Sequence, residues 1–210
     1  MTDRTDDALV AYFSMEIGLD PNMPTYAGGL GVLAGDTIRS AADLEIPMVA
    51  VTLLHRRGYF HQRLDEQGWQ REEPVAWPIN DFCKAVPQRV TVDIEHRTVH
   101  VAAWQFRVRG ESGHEVSVYL LDTDLPENQP WDRTLTDTLY GGDDDYRLCQ
   151  EVVLGIGGFR LLRMLGYGQI RRFHMNEGHA ALLVLALLEE KLASRVHEET
   201  VPTDLIDAVR

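Results

Sequence analysis

The hydrophobic pattern begins with ALVAYFSMEI, residues 8–17, a short apolar and aromatic run of the kind a buried strand carries. A glycine-rich stretch follows in TYAGGLGVLAGD, residues 25–36. It passes into LAGDTIRSAADLEI, where Leu33, Ile38, Ala41, Ala42 and Leu44 recur at near-helical spacing. PMVAVTLLH, residues 47–55, is a second run rich in Val and Leu. Strand, glycine turn, helix and strand predict a βαβ unit with parallel strands and a right-handed crossover.

The pattern then changes period. RVTVDIEHRTVHVAAWQFRV and HEVSVYLLDTD alternate β-branched or aromatic residues with polar ones around the turn signal RGESGH. They predict antiparallel hairpin strands inserted on the parallel core. Residues 125–140 hold Pro126 and Pro130 with little periodicity and predict a loop. Three aspartates, 143–145, suit the start of a helix. In that helix Leu148, Val152, Ile156, Phe159 and Leu162 form a stripe expected to be buried. The GIGG at 155–158 lies inside the helical pattern and predicts close helix packing. QIRRFHMNEGHAALLVLALLEEKLA reads as a short strand, a polar turn and a long apolar helix. TVPTDLIDAVR opens another helix, capped by Thr203.

The fold class is therefore α/β with an antiparallel β insertion. Ligands of such sheets bind at the carboxyl ends of the strands. The turns at 26–31 and 176–179 both follow a predicted strand and precede a predicted helix, so they are expected to line one crevice.

Composition narrows the partners. The chain has 210 residues, 44% hydrophobic and 25% charged, with a formal net charge of −13. That size suits one core, and the acidic balance argues against nucleic acid or an anionic membrane surface. Cys83 and Cys149 make no metal-like cluster and no disulfide framework, which fits a reducing, cytoplasmic setting. The acidic N-terminus and its short apolar run give no signal peptide and no membrane span.

Three stretches carry candidate chemistry. Gly28, Gly29 and Gly31 place bare backbone at a helix start, where N–H groups and the helix dipole favour an anion. The alternative is a tight strand-to-helix turn, and the spacing matches neither the dinucleotide nor the P-loop fingerprint. In HMNEGHAAL, Glu177 and His179 suit sugar hydroxyls, and His179 can handle a proton. Against that, Asn176 suits a helix cap and His174 a packing role, and two histidines without a third ligand make a poor metal site. The third stretch, residues 55–70, gathers His55, Arg56, Arg57 and Arg63 with Tyr59, Phe60 and Trp69. It reads as a sugar-stacking surface or as a solvated hairpin.

Four stretches of the chain, YFSMEIGLDPNMPTYAGGLGVLAGD, GYFHQRLDEQGWQ, LYGGDDDYRLCQEVVLGIGGFRLLRMLGY and HMNEGHAALL, together resemble the N-terminal part of the α-glucan (glycogen/maltodextrin) phosphorylases of the short bacterial type. The likeness runs in order over residues 8–188. It implies a Rossmann-like N-terminal lobe, spanning residues 1–210, of a two-lobed GT-B type glycosyltransferase with its active site in the cleft. It implies phosphorolysis of α-1,4-glucan ends by inorganic phosphate to glucose 1-phosphate, with pyridoxal 5'-phosphate as cofactor. On this chain it implies Gly28, Gly29 and Leu30 as the loop facing phosphate and glucose, with Asn176, Glu177 and His179 beside the sugar pocket.

The departures are equally specific. Lys84, in DFCKAVPQ, and Lys191, in LEEKLASR, do not resemble the Schiff-base lysine of the second lobe, and the family's Thr-Thr-His-Thr-Pro motif is missing. The resemblance thus implies an incomplete lobe, inactive by itself, with no cofactor lysine and no metal. Oligomerisation is left open and allosteric control is not expected. A nucleotide-sugar glucan synthase lobe is an alternative, although Thr25 stands where its lysine is usual. A non-catalytic glucan-binding module is another.

Overall fold

A computed structural model describes residues 10–73 and 75–193. The helix expected from Thr203 lies outside them. The βαβ unit is present: β1 (Val10–Phe13), α1 (Gly29–Asp43) and β2 (Met48–Leu53), with β1 and β2 parallel. The strand is shorter than the apolar run suggests. Beyond Phe13 the chain turns inward, and Ile17 N–H bonds the carbonyl of Thr25 in the returning loop instead of a neighbouring strand.

The next elements form a small hairpin, β3 (His61–Leu64) with β4 (Gln70–Glu73), and a single helical turn, α2 (Ile79–Phe82). Three long strands follow: β5 (Lys84–Ile94), β6 (Arg97–Arg109) and β7 (Glu115–Asp122). They pair antiparallel, as their alternation predicts, but they form no separate insertion. β7 runs parallel beside β2, so all belong to one six-stranded sheet of order β5-β6-β7-β2-β1-β8. The β5–β6 connection is Glu95-His96, both at positive φ, which is the geometry of a right-twisting two-residue hairpin turn.

Residues 125–140 are mostly irregular, as expected, yet Leu135, Thr136 and Leu139 within them are fully buried. Next come α3 (Asp144–Val152), a π-turn over Val153–Gly157, α4 (Gly158–Met164), β8 (Arg172–Met175) and α5 (Leu183–Ala193). Asp143 caps α3, its side chain accepting from Tyr146 N–H at 3.0 Å. β8 joins the sheet parallel to β1.

Helices cover both faces of the sheet. Along β1 the side chains alternate: Tyr12 packs with Ile38, Ala41 and Ala42 of α1, while Ala11 and Phe13 pack with Leu154, Phe159, Leu162 and Leu183. Cys83 and Cys149 are both free and buried, in separate clusters on the two sides. Burial pushes the Cys83 thiol up to about 12, so it packs as a small apolar group.

The helical stripe needs correction at its start. Phe159 and Leu162 are buried and Val152 and Ile156 are half-buried against the same core, but Leu148 is 53% exposed and the fully buried neighbours are Cys149, Val153 and Leu154. The π-turn supplies the reason. Its wider winding changes the phase between α3 and α4, so one 3.6-residue stripe does not run through both. The GIGG glycines do pack closely. A Cβ on Gly155 would lie 2.7 Å from the backbone nitrogen of Leu183, and one on Gly158 would lie 2.8 Å from both Phe13 and Val51.

Candidate functional site

Four segments leave the sheet at the carboxyl ends of parallel strands: residues 14–28 after β1, His55 and its neighbours after β2, residues 123–143 after β7, and Asn176 to His179 after β8. The glycine turn ends the first. Its glycines divide by role. A Cβ on Gly31 would fall 2.3 Å from the Tyr26 Cβ, and one on Gly35 would fall 2.2 Å from the Gly18 carbonyl oxygen, so these two are glycines for packing. Gly28 and Gly29 meet nothing within 4 Å and are exposed. No packing demand accounts for them, and bare backbone there leaves room for a ligand to approach.

The ladder of α1 begins with Val32 N–H bonding the Gly28 carbonyl. The N–H groups of Gly29, Leu30 and Gly31 therefore precede it, at the positive end of the helix. No side chain caps this end and no acidic residue occupies the first turn. Gly28 differs from the expectation that its N–H faces a ligand. Its N–H donates to Glu16 Oε2 at 3.3 Å, and Ala27 N–H donates to the same oxygen at 2.7 Å.

Glu16 is a buried carboxylate, and its Oε1 accepts from the Tyr140 hydroxyl at 2.9 Å. Burial, with the Glu16 charge beside it, raises the Tyr140 pKa well above the ordinary phenol value. Tyr140 has a positive φ, and its ring lies 5.5 Å from the ring of His179 and beneath the Arg147 guanidinium at 5.9 Å. The two turns singled out by sequence are thus joined through Glu16 and Tyr140. Sequence reasoning passed over both residues. Their signals were a lone acidic residue directly after a buried strand and an aromatic at the end of a loop.

Asn176 is buried and does not cap α5, which starts seven residues later. Its N–H bonds the Phe13 carbonyl at 2.8 Å and its Nδ2 donates to Ser14 Oγ at 3.2 Å, fastening the end of β8 to the end of β1. Glu177 follows at positive φ with its side chain exposed. His179 is half-buried, and its buried Nδ1 has no hydrogen-bond partner among the described residues. His174 is a packing residue, as one reading had it, but at the surface: its ring stacks on Tyr12 at 4.8 Å.

The basic stretch resolves toward the bland reading. His55 is fully buried, its Nε2 2.8 Å from the Met15 carbonyl, and desolvation lowers its pKa to about 4. It is no cation at neutral pH. Arg56 pairs with Asp122, Arg57 with Asp137 at 3.3 Å and Arg63 with Glu73 at 2.7 Å. β3 and β4 form an exposed hairpin, with Tyr59 against Phe60 and Trp69 74% exposed.

Lys84 begins β5, the strand at the opposite edge of the sheet from β8, and Lys191 lies in the last turn of α5. Neither stands at the turns, so the described residues do not fit a pyridoxal Schiff base. Among them no group of three His, Cys, Asp or Glu side chains is placed to share a metal, and no helix is long and apolar enough to cross a membrane.

Fold and site define a Rossmann-like α/β lobe whose polar turns gather at the carboxyl ends of its parallel strands. Comparison with known proteins finds relatives over most of the chain. Over 179 residues the chain is 46% identical to maltodextrin phosphorylase of Thermococcus litoralis, a match spanning 82% of this chain and 21% of that protein. It is 40% identical over 195 residues to glycogen phosphorylase of Mycobacterium tuberculosis, spanning 86% and 22%. Against glycogen phosphorylase of Aquifex aeolicus it is 33% identical over 184 residues, spanning 84% and 26%. No family profile matches the chain. Over the matched residues the chain is similar to the glycogen and maltodextrin phosphorylases, and it spans about a fifth to a quarter of the length of these relatives.

Proposed function

We propose that this chain supplies the phosphate- and glucose-facing wall of an α-glucan phosphorylase, within a two-lobed GT-B type enzyme that releases glucose 1-phosphate from α-1,4-glucan ends. The observation that carries the reading is the glycine turn. Gly28 and Gly29 are open for no packing reason, and the amides of Gly29, Leu30 and Gly31 stand uncapped at a helix start. Such amides stabilise phosphate oxygens and sugar hydroxyls without a charged side chain. Glu177, exposed on its turn, accepts from sugar hydroxyls. His179, half-buried against the Tyr140 ring, lines the sugar side of the same turn.

Residues outside this chain hold pyridoxal phosphate in this reading, and the 210-residue chain alone turns over no glucan. The relatives' names motivate the substrate class, and the formal net charge of −13 fits a neutral glucan better than a polyanion.

Ligand-detected NMR on the chain, with inorganic phosphate, glucose 1-phosphate, maltopentaose and ADP-glucose offered separately, tests the reading. Saturation transfer to glucose 1-phosphate, lost in Gly29→Val, is expected. Transfer to ADP-glucose in preference would favour a nucleotide-sugar synthase. Transfer to maltopentaose alone would favour a glucan-binding module. Glucose 1-phosphate binding that survives Gly29→Val unchanged would remove the turn from the site.

A further inference from the structure

We infer that Glu16 is a positioning residue that locks the glycine turn, Tyr140 and the Asn176–His179 turn into one arrangement and divides the amides of the glycine turn between itself and a ligand. The inference rests on the reading of that turn as phosphate- and glucose-facing.

Glu16 reaches every part of the site without touching its open side. One carboxylate oxygen accepts from Ala27 and Gly28 N–H, and the other accepts from the hydroxyl of Tyr140, which stands 124 residues away in sequence. The Tyr140 ring packs on His179. The backbone carbonyl of Glu16 accepts from Ser14 Oγ–H at 2.6 Å, and that oxygen accepts in turn from Asn176 Nδ2. Side chain and backbone thus anchor different segments.

Glu16 is 3% exposed, and among the described residues the hydrogen-bond donors to its carboxylate are all neutral. An isolated buried charge is costly unless its hydrogen bonds are complete. Here each oxygen is engaged. Gly31 makes the approach possible, because a Cβ there would lie 2.8 Å from Oε2. The division of labour follows. Glu16 saturates Ala27 and Gly28, and the next three amides point past it at the start of α1.

Glutamine separates geometry from charge. In Glu16→Gln the amide oxygen can accept from Ala27 and Gly28 while the amide NH2 donates to the Tyr140 oxygen. Glu16→Ala removes both links. Amide hydrogen exchange on ¹⁵N-labelled chain is the first measurement. Glu16→Ala is expected to speed exchange at Ala27 and Gly28 by on the order of tenfold or more relative to the β2 amides, with Glu16→Gln within a few fold of the natural chain. Should Glu16→Ala fail to fold, Tyr140→Phe serves instead, with a smaller acceleration at the same two amides. Unchanged exchange in the folded variant, or a Gln variant as fast as the Ala variant, overturns the inference.

Titration with glucose 1-phosphate is the second measurement. Shifts at Gly29, Leu30 and Gly31 exceeding those at Ala27 and Gly28, with affinity about tenfold weaker in Glu16→Ala and restored in Glu16→Gln, support the positioning role. Larger shifts at Ala27 and Gly28 overturn it. No shift anywhere in the natural chain counts against the ligand reading of the turn and against the amide division built on it. The exchange result then decides the lock by itself.

Discussion

At the scale of single residues, the glycine-rich stretch illustrates how one composition serves two purposes. Sequence alone offered a ligand loop or a packing turn, and the structure assigns the packing purpose to Gly31 and Gly35 and not to Gly28 and Gly29. The two classes predict opposite responses. Gly35→Ala forces a Cβ to 2.2 Å from a backbone oxygen that cannot swing away. It is expected to lose about 1–3 kcal/mol, the usual range for overpacking, or more. Gly29→Ala sits in the first turn of a helix with open space beside it and is expected to be neutral or slightly stabilising, by up to about 1 kcal/mol. Urea unfolding of the two variants checks this, and equal losses would mean that the assigned division is wrong. Glu16 and Tyr140 show why sequence could not go further at this scale. Their bond spans most of the chain, and neither residue type carries a motif that announces a partner at that distance.

At the scale of elements, period and turn chemistry made the βαβ unit, the long antiparallel strands and the apolar α5 legible. Edge relations were not legible. An alternating strand reads the same whether it closes a separate ribbon or extends a parallel sheet, so the parallel pairing of β7 with β2 had to come from the structure. The α3–α4 region shows the second limit. A strict 3.6-residue stripe places Leu148 inside, but the π-turn breaks the phase between α3 and α4, and Cys149 and Val153 are the buried residues. Leu148→Lys is therefore expected to change stability by no more than about 0.5 kcal/mol, as for surface positions. Leu154→Ala, at a fully buried position facing β1 and β2, is expected to cost about 2–5 kcal/mol. Thermal unfolding of the two variants discriminates. A large loss from Leu148→Lys would indicate that a continuous α-helix replaces the π-turn in solution.

At the scale of the whole molecule, the sheet does two jobs: it buries a core on each face and brings four connecting segments to one end. His55 belongs to both. It follows β2 in a left-handed conformation, fully buried, with Nε2–H donating to the Met15 carbonyl next to Glu16 and its own carbonyl accepting from Trp77 Nε1 at 3.1 Å. Its Nδ1 has no partner among the described residues, so a second proton there would be buried without an acceptor. Desolvation holds its pKa near 4, below the ordinary value of 6.5. As pH falls through that interval the unfolded chain takes up a proton at His55 while the folded chain does not. The folded state therefore loses stability between about pH 6.5 and 4, and this one group accounts for about 3 kcal/mol of it. Below pH 4 both states are protonated and the contribution stops growing. His55→Asn keeps a residue tolerant of the left-handed conformation and removes the titration. Its stability at neutral pH is expected to be lower, because packing and the Met15 bond are lost, but its decline from pH 6.5 to 4 should be shallower than that of the natural chain. Denaturant unfolding at half-unit pH steps measures both slopes. Parallel slopes would show that His55 is already protonated in the fold, and that the acid sensitivity of the strand ends arises from their carboxylates instead.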